Sequence, residues 1–333
     1  MEGRRLGRSD VRVSAFGLGC WAIGGPTQYR GSHFGWGRID EDEAIRAIHT
    51  ALDAGITFFD TADVYGAGHS ERILGKALAG RRSDVVIATK FGLTFDEYTG
   101  TMTGRDGSPE YVARACDASL RRLGTDHIDL YQFHIGDFDP AHAEPLCDAL
   151  DRLVAAGKVR SYTWNSSPEN ARVFAEHAAC TSIGTGMNML TMFGPVSAVL
   201  SFCEERDLAA IVNGPLGKGL LTGKFNDDTR FPEDDLRHQR GWDLRQGPLA
   251  KQRMVVEELR DILTSDGRTL AQAALGALWA RSDRIVPIPG FKNVAQVREN
   301  AGALRFGPLG TDQMRALEQA VRAAFTPEEM QIL

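Results

Sequence analysis

Phe58-Phe59-Asp60-Thr61-Ala62-Asp63-Val64-Tyr65 reads as the end of a buried strand running into a charged rim. The two phenylalanines bury the strand, and Asp60 is the first charge met where it ends. Tyr65 follows within one short loop, so its hydroxyl can swing back over Asp60. Two further apolar runs end the same way: Val85-Val86-Ile87-Ala88-Thr89-Lys90 stops on a lysine, and Ile128-Asp129-Leu130-Tyr131-Gln132-Phe133-His134 stops on a histidine. As successive parallel strands of one barrel, these segments bring Asp60, Tyr65, Lys90 and His134 to one face.

Such a quartet suits a phenol that acts as an acid. A free tyrosine has a pKa of about 10 and holds its proton too firmly near pH 7. A neighbouring ammonium favours the phenolate, and Lys90 is the candidate; Asp60 keeps that lysine charged and in place. His134 is placed to polarise or orient a carbonyl. General acid catalysis typically contributes about 10² to 10⁴ in rate, and no side chain here can donate a hydride. The electrons therefore call for a nicotinamide cofactor.

The chain of 333 residues, 43% hydrophobic and 25% charged, suits one large barrel or two smaller domains. A net charge of -6 leaves no basic footprint for nucleic acid. Met1-Glu2-Gly3-Arg4-Arg5 leads directly into folded sequence, and no run of about 20 apolar residues occurs, so a cytoplasmic protein without a membrane partner is expected. Cys20, Cys116, Cys147, Cys180 and Cys203 show no paired spacing. His177 and Cys180 stand three apart, but further ligands are missing beside them, and no metal is expected.

Arg4 to Val13 reads as a hairpin around the turn Gly7-Arg8-Ser9-Asp10. Beyond it, helix-period and short apolar segments alternate as in repeating β/α units, an α/β pattern. Strands are expected at Ala15 to Gly19, Phe58 to Asp60, Val85 to Thr89, Ile128 to Phe133, Val159 to Tyr162, Gly184 to Met189, Ala209 to Val212 and Ile285 to Pro287. Trp21 to Arg38 reads as a loop rich in glycine and aromatics, and Phe91 to Ser108 and Asn213 to Gly247 do not fit the alternation. Loops that long are usually functional, and the last two are where cofactor and substrate contacts are expected. Trp21, Tyr29, Phe34, Trp36 and Trp164 either wall a pocket or pack the mouth. Asp63, His69, Asp137 and Glu233-Asp234-Asp235 read as solvated loop residues.

Several of these stretches resemble the aldo-keto reductase superfamily. They are Gly17-Leu18-Gly19-Cys20-Trp21, the run from Phe59 to Gly75, Thr89-Lys90-Phe91-Gly92, Gly157-Lys158-Val159-Arg160, Gly214-Pro215-Leu216 with Gly219 to Lys224, and Pro287-Ile288-Pro289-Gly290 with Glu299-Asn300. The match keeps the family's order from Gly3 to Leu304. The resemblance implies one domain over residues 1–333, a (β/α)8 TIM barrel whose N-terminal β-hairpin closes the bottom, NADPH/NADP+ as cofactor, and reversible carbonyl reduction. It also implies Asp60, Tyr65, Lys90 and His134 as the catalytic four. Carried over residue by residue, Cys20 and Trp21 lie beneath the nicotinamide. Asp60, Asn165 and Ser166 border it; Pro215, Leu216, Gly217 and Lys218 wrap the pyrophosphate with Lys224 nearby. Gly290 allows close backbone approach, Lys292 meets the 2′-phosphate, and Gln296, Glu299 and Asn300 face the adenosine.

The chain departs from the family's pattern at the nicotinamide. Thr163-Trp164-Asn165-Ser166 stands where Gly-x-Ser-Asn is usual, Gly184 where a glutamine is usual, and Asn213 where an aromatic often stacks. These departures are expected to loosen the ring. The function implied is an NADPH-dependent oxidoreductase acting on an aldehyde, ketone or keto-sugar, with Tyr65 as general acid, and the sequence is most similar to the bacterial branch that reduces keto-sugar nucleotides and secondary-metabolite intermediates. A cofactor-bound accessory or redox-sensing subunit with little turnover is the alternative, and monomer and symmetric oligomer are both open.

Overall fold

The computed structural model describes residues 2–332. Eight parallel strands form one sheet: β1 (Leu18–Gly19), β2 (Phe58–Asp60), β3 (Val86–Phe91), β4 (Ile128–Phe133), β5 (Val159–Asn165), β6 (Cys180–Gly186), β7 (Ala209–Asn213) and β8 (Ile285–Pro287), neighbours in chain order. The ends meet: Gly17 and Gly19 donate from their backbone nitrogens to the carbonyls of Pro287 and Pro289 at 2.9 and 3.0 Å, which closes the barrel.

Period-two alternation sets what each strand offers to either side. Phe58, Val86, Ala88, Leu130, Ala209, Ile211, Val286 and Ile288 fill the interior, and the hairpin residues Leu6 and Val13 plug it from below. Their neighbours Phe59, Ile87, Tyr131, Phe133, Tyr162 and Trp164 turn outward against the helices. The inward positions one step further along β2, β3 and β4 are Asp60, Lys90 and Gln132, so the polar rim continues the buried ladder.

The connecting helices start as their sequences direct. Asp40 caps Glu41–Asp53 by accepting from Glu43 N at 3.0 Å, with acidic residues in the first turn where the helix dipole favours them. Ser108 caps Pro109–Leu123, and Thr269 with Gln272 forms a capping box ahead of Leu270–Arg281.

The loops differ from expectation. Thr27–Tyr29 and Ser32–Phe34 make one hairpin, Leu93–Asp96 and Thr101–Arg105 another, and Gln28 pairs with Thr101 so that the two hairpins form one four-stranded sheet beside the barrel mouth. The sixth strand runs over Cys180–Gly186 and stops short of Met189. Helices at Gly247–Glu258, Thr311–Ala324 and Pro327–Ile332 were not anticipated.

Candidate active site

At the carboxyl ends of the strands lies a cavity of about 450 Å³, within the roughly 300–1,000 Å³ usual for ligand sites. Asp60, Tyr65, Lys90 and His134 all line it. Lys90 Nζ bonds Asp60 Oδ1 and donates to Thr61 O at 2.7 Å. The same ammonium lies 5.0 Å from the centre of the Tyr65 ring, within reach of its hydroxyl. His134 meets Tyr65 edge to face with ring centres 6.1 Å apart, and Trp21 stacks on Tyr65 at 5.7 Å.

The electrostatics follow from burial and pairing. Burial pushes the Lys90 ammonium toward losing its proton, but Asp60 and Tyr65 together outweigh it and raise its pKa above that of an ordinary lysine. Burial also governs Tyr65. Lys90 favours the phenolate as expected, yet desolvation is the larger influence, and the phenol lies above its usual range rather than below it. Burial, and then the Lys90 charge, take His134 down to about 3, so its imidazole is neutral near pH 7. Among the described residues its Nδ1 is buried without a partner.

Most of the residues expected around a cofactor reach the same cavity: Trp21, Asn165, Pro215, Leu216, Lys218, Lys224, Gly290, Lys292, Gln296, Glu299 and Asn300. Three do not. Cys20 is fully buried in the outer core, with its thiol on Leu18 O, because the turn at Cys20–Gly24 sends Trp21 into the cavity instead. Ser166 turns its hydroxyl away to Gly136 O at 2.5 Å. Gly217 opens the 3-10 turn Gly217–Thr222 without lining the space. Trp164 is no pocket wall: it is fully buried among Phe133, Phe138 and Phe174, with Nε1 on Ile135 O at 2.9 Å.

Three residues read as solvated are structural. Asp63 is 1% exposed, and burial, then Glu71, push its carboxyl well above the usual range. His69 opens a helix, with Nδ1 3.0 Å from Gly24 O and Nε2 2.8 Å from Glu41. Asp235 is buried, caps a short helix and holds Arg237 at 2.6 Å. Asp137, by contrast, is exposed and pairs with Arg105 at the surface.

Arg237 was not singled out in the sequence, yet it lines the cavity. Its guanidinium lies 5.3 Å above Trp36 and 4.4 Å above Phe231 and reaches Lys218 O at 3.2 Å. Leu236 N donates to Gly35 O at 2.8 Å, so the first hairpin loop and the segment around Asp235 clasp over one end of the cavity. Lys292 joins them through Trp36 O. Burial depresses the pKa of both Lys224 and Lys292; Arg237 acts the same way, while Asp235 opposes it, and an anion placed among these cations is favoured. Asn300 is buried, and its Nδ2 has no partner among the described residues. Donors of this kind fit the phosphate and adenosine portions of a dinucleotide.

Two of the departures form one arrangement. Asn165 and Gly184 face each other in the β5–β6 register, and a Cβ on Gly184 would stand 1.5 Å from Asn165 Oδ1. The Asn165 carboxamide occupies space that only glycine leaves free. Gly184→Ala is expected to cost about 1–3 kcal/mol through overpacking, most of it recovered when Asn165→Ala is added, as read by urea unfolding. Equal costs in both backgrounds would exclude the contact.

Among the described residues no group of three or more His, Cys, Asp or Glu side chains is placed to hold a metal ion, and no helix is long and apolar enough to cross a membrane. Residues 15–322 match the model of the aldo/keto reductase family. An NADP(+) aldo-keto reductase of Schizosaccharomyces pombe is 32% identical over 309 residues, 91% of this chain and 86% of that protein. A glycerol dehydrogenase of Gluconobacter oxydans superposes with a TM-score of 0.80 at 32% identity, covering 97% of this chain and 95% of its own. The holo form of an aldo-keto reductase of Bacillus halodurans gives 0.78 at 28% identity over 99% of both chains.

Proposed function

Because the chain belongs to the aldo/keto reductase family, we propose that it is an NADPH-dependent oxidoreductase that reduces a small aldehyde, ketone or keto-sugar to the alcohol in the cytoplasm, with Tyr65 as the proton donor. The observation that carries this reading is the placement of Asp60, Lys90, Tyr65 and His134 around one cavity that Lys224, Arg237 and Lys292 also line. When bound, the cofactor supplies the hydride. Everything else falls to the chain. Tyr65, protonated at neutral pH, gives its proton to the carbonyl oxygen. Lys90 stabilises the phenolate left behind, and Asp60 keeps that ammonium charged and fixed. His134, neutral, orients the carbonyl without competing as a stronger acid. Asn165, seated over Gly184, offers both a donor and an acceptor to an amide, so a nicotinamide carboxamide can be oriented without the family's usual residues.

The accessory-subunit reading is less well supported. A binding module does not require a buried lysine and a phenol side by side. Oxidation of NADPH by a panel of small carbonyl compounds tests the enzymatic reading, with absence of turnover on every member counting against it.

Preference for NADPH over NADH rests on Lys292. A charge-assisted contact of this kind contributes about 1.5–3 kcal/mol. Lys292→Met is therefore expected to weaken NADPH binding by roughly 10- to 150-fold while leaving NADH within about twofold, measured by quenching of protein fluorescence. An equal loss for both nucleotides would assign Lys292 to the clasp through Trp36 O alone.

A further inference from the structure

Asp60 has two carboxylate oxygens, and Lys90 takes only Oδ1. The other, Oδ2, accepts a hydrogen bond of 2.5 Å from Nε2 of Gln132. Gln132 is 1% exposed, lies on β4 and stands directly opposite Lys90 in the β3–β4 register. The opposite orientation of its amide would set Oε1 against a carboxylate oxygen, so charge fixes which end faces Asp60. Two residues earlier on the same inward face the chain places Leu130, which simply fills space. A buried amide is costlier to desolvate than a leucine unless its hydrogen bonds are made.

We propose that Gln132 is a positioning residue for the proton donor, acting through Asp60 and Lys90. An ammonium has three N–H groups. Asp60 Oδ1 and Thr61 O take two of them, which leaves the third for the Tyr65 oxygen. That aim is only as good as the fix on Asp60. With Gln132 on Oδ2 the carboxylate plane is pinned from both sides; without it the carboxylate can rotate, and the ammonium follows. A neutral amide suits the task because it adds no charge beside the ion pair and cannot ionise, so its grip does not change with pH.

This inference rests on Tyr65 being the proton donor, and the experiment keeps the two apart. Single-turnover oxidation of bound NADPH, by a carbonyl compound that the wild-type protein reduces, is followed by stopped flow between pH 5 and 9 for Gln132→Leu and Gln132→Glu, with NADPH affinity titrated separately. Gln132→Leu is expected to slow the step at least about tenfold at every pH, toward the roughly hundredfold that an ångström of misplacement can cost, with NADPH affinity changed less than about twofold. Gln132→Glu is expected to run near the wild-type rate at the acid end, where the carboxylic acid still donates to Asp60. It then falls along a new limb as that group ionises beside a second carboxylate. Equal losses in both variants with no new limb, or a Gln132→Leu profile that superimposes on the wild type, would overturn the proposal. A urea double-mutant cycle of Gln132→Leu with Asp60→Asn reads the contact without turnover and is expected to show coupling. If Tyr65→Phe keeps the wild-type rate while that coupling is present, the proton-donor reading has failed and takes the proposal with it, by a route that the Gln132 variants alone do not report.

Discussion

Tyr65→Phe is expected to lower kcat/KM for carbonyl reduction by about 10² to 10⁴ while leaving NADPH affinity unchanged within about twofold. The substitution removes one hydroxyl and keeps the ring that stacks on Trp21 and meets His134, so the cavity wall is preserved and only the proton is lost. The pH dependence carries a second check. Burial holds the Tyr65 phenol above its usual range, so the acid form persists through neutrality, and reduction slows only as pH rises past that raised pKa. His134, at about 3, stays uncharged over the same range. The wild-type profile should therefore show no limb near the ordinary histidine value of about 6.5. A limb there that disappears on substitution of His134 would mean that the imidazole titrates in the working enzyme and that Tyr65 is not the sole acid.

The rim of the barrel was legible because strand ends can be read from charge. Asp60, Lys90 and His134 stop three apolar runs, and the parallel register brings them to one face. Gln132 carries no charge, so the same reading passed over it, although its two-residue spacing from Leu130 and His134 already placed it on the inward face. Spacing also bears on Trp164, since adjacent strand residues cannot both face the cavity, and Asn165 does. What could not be read locally depends on distant partners. Asp63 is covered by helices from other parts of the chain, with Glu71 and Arg122 among its neighbours. The pairing of Gln28 with Thr101 joins two long loops whose strands are individually too short to announce themselves. Arg237 sits in a polar stretch without periodicity, and its role emerges only once Trp36, Phe231 and Asp235 surround it. Helix Thr311–Ala324 is a different case. Leu317 and Val321 lie on one buried face at helical spacing, a signal present in the sequence but beyond Leu304, the last residue of the motif-by-motif resemblance, although the family model itself runs to residue 322.

Lys90→Met is expected to separate the stabilising role of the buried pair from its catalytic role. The Lys90 and Asp60 side chains are 5% and 2% exposed, so removing the ammonium leaves a carboxylate with little water to solvate it. Breaking a buried pair on one side costs about 3–5 kcal/mol, and urea unfolding at pH 7 should report a loss of that size. Lys90 has its pKa raised in the folded protein from a reference of 10.5. Its contribution is therefore fully present below the unfolded value and is lost as pH rises through the folded one. The stability gap between wild type and variant should be constant across neutral pH and narrow only above about 10.4. Adding Asp60→Asn removes the stranded charge and should recover much of the stability, since deleting both partners is commonly far milder than deleting one. Turnover should not return, because nothing then stabilises the Tyr65 phenolate. A double variant that regains stability but stays inactive places the ion pair in the reaction, whereas one that regains both would reduce Lys90 and Asp60 to structural neighbours of an acid that works without them.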